Sequence, residues 1–221
     1  MDVLPLGHSA FKLKGKHASV ICDPYDPEMT GLKLPKNHLK AHIVTVSHQH
    51  PDHNFTKIIE REDEGSAVLV FSEPGEYEAR GVEVTGIATF HDATEGSERG
   101  GNTMFRITID GIHIVHCGDL GHQLNEGQLE QIGNCDILLI PVGGHYTIGS
   151  AEAVKVVNAL EPALVVPMHY KRAGLDEKTF APLVPVSDFL KEFGKEAAEP
   201  QPKLSINRDK LPEETQVLVL E

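Results

Sequence analysis

No run of about 18 apolar residues occurs in the 221-residue chain, so a membrane-spanning helix is not expected. The N-terminus lacks the charged-then-apolar pattern of a secretory signal, and the two absences together predict a cytoplasmic protein. Cysteine is scarce. Cys22, Cys117 and Cys135 are odd in number and lie in or beside apolar runs, which argues against a disulfide framework and for reduced, packed thiols. Basic residues are also too few: 20 Lys and Arg face 33 Asp and Glu, and the net charge of -13 disfavours nonspecific binding to nucleic acid or to an anionic membrane. The same acidity leaves room for a small, anionic substrate drawn in locally by a metal cation. Repeats of about 20 to 50 residues are missing, which excludes a solenoid. What remains is ordinary for a globular protein, 40% hydrophobic and 24% charged, and the length favours one large domain over residues 1–221.

Histidine is the exception to that ordinariness, with 13 residues that fall mostly inside the chain. They are densest in Ser47-His48-Gln49-His50-Pro51-Asp52-His53, where His48, His50, Asp52 and His53 are all metal-ligand types. The β-branched stretch Ala41 to Val46 before it reads as a buried strand, and Asn54 to Glu60 after it has helical spacing with Asn54 as a cap. In extended backbone, side chains alternate with period two, so His48 and His50 point to one side and can converge on one ion. Pro51 resists continuing the strand and suits a first helical turn, which lets Asp52 and His53 swing toward a second point.

Along the chain, Val3 to Leu6, Phe11 to Leu13 and Ala18 to Cys22 predict an antiparallel opening meander. Ala67 to Phe71 reads as a buried strand, and Tyr77 to Ala79 and Val82 to Thr89 as further strands. The glycine-rich, charged loop Ala93 to Asn102 is expected to be exposed and mobile. Thr103 to Ile109, Asp110-Gly111 and Ile112 to His116 form the clearest local signal, a hairpin with an Asp-Gly turn. Helices are expected near Asn125 to Ile132, Ser150 to Leu160 and Val186 to Phe193, with strands at Asp136 to Ile140, Ala163 to Val166, Leu204 to Ile206 and Val217 to Leu220. Meanders followed by strand-helix alternation indicate a mixed α/β architecture.

Three further ligand types, His91, Asp119 and His169, each close a predicted strand, and residues at strand ends can meet on one sheet edge. The series His-x-His-x-Asp-His, then His, then Asp after Gly, then His resembles the metal motifs of the metallo-β-lactamase superfamily. Gly7-His8-Ser9-Ala10-Phe11, Asp23-Pro24, His116-Cys117-Gly118-Asp119, Pro141-Val142-Gly143-Gly144-His145-Tyr146 and Pro167-Met168-His169-Tyr170 are similar to its Zn-dependent hydrolase branch that includes ascorbate phosphate lactonase. The likeness covers about residues 1 to 170 and implies a four-layer αββα sandwich with the site at one sheet edge. It further implies that His48, His50 and His91 hold one metal, that Asp52, His53 and His169 hold a second, and that Asp119 bridges both. Imidazole and carboxylate suit Zn²⁺, with Mn²⁺ or Fe compatible by ligand type. A hydroxide between two such ions has its pKa pulled toward neutrality and becomes a nucleophile.

These residues support a metal-dependent hydrolase of a small lactone, ester or phosphoester, with Asp52 and Asp119 at the reacting centre. The alternatives are a phosphodiesterase or nuclease of the same superfamily, and a metal-binding protein without turnover. His145 follows two glycines that allow close approach to a ligand, and is expected to contact an anionic group or protonate the leaving oxygen. His8 and Asp23 fit either support of a ligand or plain turn chemistry, and His116 either support or strand packing. Asp92 could orient His91 or be an exposed loop carboxylate. His17, His38, His42, His113 and His122 show no motif and are expected to be structural or solvated.

Overall fold

In the computed structural model, which describes residues 1–221 apart from the Lys36 side chain, the opening meander consists of β1 (Asp2–Gly7), β2 (Ala10–Lys14) and β3 (Ser19–Cys22), paired antiparallel in order. A short helix α1 (Pro27–Thr30) follows, then β4 (Lys40–Ala41), β5 (Ile43–Thr45), β6 (Glu60–Arg61) and β7 (Leu69–Phe71). β5 joins β3 in parallel and β7 joins β5 in parallel, while β4 and β6 make a small sheet of their own. The second large sheet begins with β8 (Gly75–Ala79), β9 (Val82–Phe90), β10 (Gly101–Ile109) and β11 (Ile112–His116), all antiparallel. It continues in parallel through β12 (Ile137–Pro141) and β13 (Leu164–Met168), with helices α2 (Glu126–Ile132) and α3 (Ser150–Leu160) as the crossovers. Helices α4 (Glu177–Phe180) and α5 (Val186–Glu192) come next. Finally β14 (Leu204–Ser205) closes the first sheet beside β1, and β15 (Gln216–Val217) closes the second beside β13.

Side-chain alternation explains how the sheets stack. Phe11, Leu13, Val20, Cys22 and Ile43 join the main core shared with the seven-stranded sheet, while Ile21 and Val44, one residue out of phase, pack on the other face with Leu6, Tyr25 and Val46. Ile137 to Ile140 are all fully buried, as expected for a parallel strand covered by a sheet on one side and a helix on the other. The Asp110-Gly111 turn forms as expected, with both residues at positive φ (52° and 76°), the conformation that matches the twist of a two-residue hairpin. Asn125 and Gln128 make a reciprocal capping box at the start of α2. The arrangement is the expected four-layer αββα sandwich of mixed α/β type.

Two expectations are corrected. Asn54 to Glu60 is not an α-helix; only Thr56–Ile58 makes a single 3-10 turn. The backbone groups that would build the helix bond elsewhere: the Phe55 amide donates to the Pro24 carbonyl (2.7 Å), the Asp26 amide to the Pro51 carbonyl (2.9 Å) and the Glu60 amide to the Leu39 carbonyl (2.8 Å). The outer layer over the six-stranded sheet is consequently thin. Ala67 to Phe71 is not a buried strand either, because β7 is the edge strand and leaves Leu69 and Val70 exposed. The three thiols are buried and unpaired, as expected.

The topology delivers the site. β3 and β5 run parallel in one sheet and β11, β12 and β13 run parallel in the other, so their C-terminal ends, together with that of β9, open at one edge.

Candidate metal centre

Asp23, the residue after β3, anchors the centre. It is fully buried at φ 45°, a left-handed conformation that Asp tolerates better than most side chains. One carboxylate oxygen accepts the Ser47 amide (2.8 Å) and the other accepts the Ser47 hydroxyl (2.5 Å). The second also lies 2.8 Å from His53 Nδ1, a charge-assisted hydrogen-bond distance. An Nδ1–H donated to Asp23 leaves His53 Nε2 free as an electron-pair donor aimed into the cluster. Asp23 thus ties the loop after β5 to the end of β3, and its role is positioning rather than simple turn chemistry.

Asp119 lies at the middle. One of its oxygens is 3.2 Å from His53 Nε2, and the other is 3.2 Å from His91 Nε2, 3.3 Å from His169 Nε2 and 3.8 Å from His48 Nε2. Its amide donates to Asn102 Oδ1 (2.9 Å), and the Asn102 amide group donates in turn to Thr89 Oγ1 and the Cys117 carbonyl. Gly118 before it has φ 54°, and an added Cβ there would collide with Asn102 Oδ1 and Ser47, so glycine is required for this close packing. No motif in the sequence marks Asn102. His116 donates from Nε2 to the Ser9 carbonyl (2.8 Å) and accepts the Gly118 amide at Nδ1 (3.1 Å), which makes it a buried brace between β1–β2 and the Asp119 turn.

The seven expected ligand residues are brought together, and His8 joins them from the end of β1. Three sets have donor atoms within 4.8 Å of one another and could hold a cation: His8, Asp52, His53 and His169; His48, His50 and His91; and His48, His53 and Asp119. His50 alone among these is exposed. His48 Nε2, His53 Nε2 and Asp119 Oδ1 are buried without a hydrogen-bond partner, a costly condition that a bound cation relieves. The donor set therefore fits a metal.

Electrostatics agree with this fit. Burial opposes the charge on His53, but the charges of Asp119 and Asp52 beside it and the hydrogen bond it donates to Asp23 hold the imidazole well above its ordinary value. Burial likewise opposes ionisation of Asp119, and the facing His169 and His53 outweigh it and hold the carboxyl well below the carboxylate range. Burial, reinforced by His53, pushes His48 down to about 3. A cation held by these residues would take the place of the proton on His53 as the counter-charge to the surrounding carboxylates.

A cavity of about 330 Å³ opens over the cluster, walled by Met29, Tyr146 and Phe180 on its apolar side and by Asp119, His91 and His169 at its base. A second, of about 550 Å³, adjoins it past His48 and His50. Arg99 lines both and is the sole Lys or Arg among the described residues that do so. Its loop is not loose. Asp92 is buried and accepts the amides of Thr94, Gly96, Glu98 and Arg99 and the Thr94 hydroxyl, at 2.7 to 3.1 Å. That cage replaces both roles considered for Asp92, because its oxygens are used by the loop rather than by His91 or by solvent. His145 is exposed and lies outside the wall of either cavity; its neighbour Tyr146 lines the smaller one, with its hydroxyl donating to the Thr179 carbonyl (2.6 Å).

Residues 3–169 match the family described as the beta-lactamase superfamily domain. A UPF0173 metal-dependent hydrolase from Pelotomaculum thermopropionicum is 33% identical over 207 residues, 80% of this chain and 88% of the relative. Another from Thermoplasma acidophilum is 29% identical over 181 residues, 74% of this chain and 80% of the relative. Among solved structures, one from Thermotoga maritima, classed as a Zn-dependent hydrolase of the metallo-beta-lactamase superfamily, is 35% identical with a TM-score of 0.78, covering 100% of this chain and 98% of that one. A matching domain over three quarters of the chain, the shared fold and a convergent His/Asp cluster agree: the chain belongs to the UPF0173 metal-dependent hydrolases of the metallo-β-lactamase superfamily.

Proposed function

We propose that the protein is a di-zinc hydrolase of a small lactone, ester or phosphoester. His48, His50 and His91 take one ion, Asp52, His53 and His169 take the other, and Asp119 lies between them. The observation that carries this reading is the position of Asp119, which has Oδ1 3.2 Å from His53 of one set and Oδ2 3.2 Å from His91 of the other and 3.3 Å from His169. When bound, two such cations supply a Lewis acid and lower the pKa of a bound water toward neutrality. The chain's own groups do the rest. Asp23 and Asn102 hold His53 and Asp119 in place, and Met29, Tyr146 and Phe180 exclude water from one side of the cavity.

Arg99 supports an anionic substrate, because it places a guanidinium at the rim in a protein whose net charge of -13 otherwise repels anions. The same acidity supports a protein with no nucleic-acid or membrane partner. Among the described residues no helix is long and apolar enough to cross a membrane. Three buried, unpaired thiols favour the reducing cytoplasm.

Elemental analysis after metal loading, followed by a panel of lactones, esters and phosphodiesters, tests the reading. Two ions per chain and turnover abolished by a chelator are expected. A chain that takes up no metal refutes it, and tight, salt-sensitive retardation of oligonucleotides in a gel favours the nuclease alternative.

A further inference from the structure

His8 lies at the end of β1, at φ 53°, buried, and outside the cavity wall. Its Nε2 is 3.3 Å from Asp52 Oδ2. Two readings of that spacing are available, a hydrogen bond to Asp52 or a shared metal. A charge-assisted N–H to carboxylate bond is expected at about 2.7–2.9 Å, which is what Asp23 and His53 show at 2.8 Å. Two ligands of a tetrahedral zinc with bonds of about 2.0–2.1 Å stand instead about 3.3–3.4 Å apart. Three of the four imidazoles around Asp119 fall at this longer spacing, His53 at 3.2 Å, His91 at 3.2 Å and His169 at 3.3 Å, with His48 farther at 3.8 Å. His8 belongs with them. Its ring centroid lies 4.1 Å from that of His169, and its Nδ1 is unpartnered, as is Nδ1 of His91 and His169.

From this spacing we propose that His8 is a fourth ligand of the inner ion, in addition to Asp52, His53 and His169. The inference rests on the metal-binding reading above and adds an asymmetry to it. All four inner residues are buried, whereas the outer set of His48, His50 and His91 includes the exposed His50. Asp119 lies between the sets and adds a donor to each, so the inner ion has five protein donors and the outer ion four, and only the outer ion has room to take a water or substrate oxygen as a fifth. Substrate and water therefore meet at the outer ion, while the inner ion holds β1, the His48–His53 loop and the turn at His169 together. His8 and His169 (φ 52°) both take the left-handed backbone that non-glycine residues seldom adopt, which turns the two rings toward the same point.

The test uses the full-length metal-free protein, titrated with Co²⁺ against a competing chelating dye while the visible ligand-field bands are recorded. Wild type is expected to take two ions. His8→Ala should weaken one of them by more than about 100-fold, beyond the range of about 10–100-fold typical of losing a group that only supports a ligand, and should change the band shape of that ion. His8→Gln keeps a donor toward Asp52, so it restores neither affinity nor spectrum if His8 is a ligand. Restoration by Gln, or two ions bound by His8→Ala with wild-type affinity and spectrum, overturns the proposal and leaves the di-metal reading standing. A wild-type protein that binds no ion overturns both. His50→Ala gives the converse loss, at the outer ion, and far-UV circular dichroism verifies that each variant is folded.

Discussion

Replacing Asp23 by Asn isolates a single proton. The carboxylate accepts three hydrogen bonds, from the Ser47 amide, the Ser47 hydroxyl and His53 Nδ1. Asn keeps the shape, but one of its two positions becomes an NH₂ that can only donate. If the NH₂ faces His53, the ring must accept at Nδ1 and carry its proton on Nε2, the nitrogen aimed at Asp119, where it can no longer bind a cation. If it faces Ser47, the buried amide there loses its acceptor, at a cost of about 1–3 kcal/mol. Either arrangement is expected to lower affinity for the inner ion by about 10–100-fold, or about 1.4–2.7 kcal/mol. Asp23→Ala strands all three donors, for a loss of about 3–6 kcal/mol after partial repacking. At roughly 2–4 °C per kcal/mol for a domain of this size, the metal-free protein should melt at least about 6 °C lower. Chelator-competition titration measures the first effect and differential scanning calorimetry of the metal-free form the second. Wild-type metal affinity in Asp23→Asn would refute the tautomer argument, whatever happened to turnover.

Three other outcomes are expected. His145→Ala, which removes an exposed ring outside the cavity wall, should change kcat less than about threefold, and a loss of about 10²–10⁴ on a verified substrate would return it to acid–base duty. Asp92→Ala should speed amide hydrogen exchange at Thr94, Gly96, Glu98 and Arg99, and unchanged protection would mean that the loop is held by something else. Glu62 faces the buried ammonium of Lys12 at 3.0 Å and accepts from the Ser19 hydroxyl at 2.8 Å. Burial raises its pKa, and hydrogen bonds from Lys12 and Ser19 outweigh that and bring it below 4.5. A carboxyl depressed in the folded state stabilises above its unfolded pKa and ceases to do so as pH falls through the folded one. The melting difference between wild type and Glu62→Gln should therefore be full at pH 7 and shrink below about pH 4.5; a difference independent of pH would refute the pairing.

What the sequence determined by itself was local or periodic. The Asp110-Gly111 hairpin, α3 over Ser150–Leu160 and the His48 to His53 motif depend on residues within one turn, one helix or one loop, so their physics is visible in a short window. The ends of predicted strands were likewise enough to bring His91, Asp119 and His169 into one expected site. Tertiary structure decided whatever depended on competition between distant partners. Asn54 to Glu60 has helical spacing, yet its backbone bonds to Pro24 and Leu39, more than 20 positions away, instead of to itself. Asp92 could be weighed only against its neighbour His91 until the loop folded back and supplied five donors. Asn102, 17 residues from the Asp119 it supports, carries no local signal, and His8 stands in a legible motif that does not name its partner Asp52, 44 residues away. His145 shows the reverse: two glycines and a strand end were legible, but the direction in which a loop at φ 56° presents its side chain was not. A pattern of residue types specifies which donors are available, and only the register and packing of two sheets set the few ångströms between them on which metal chemistry depends.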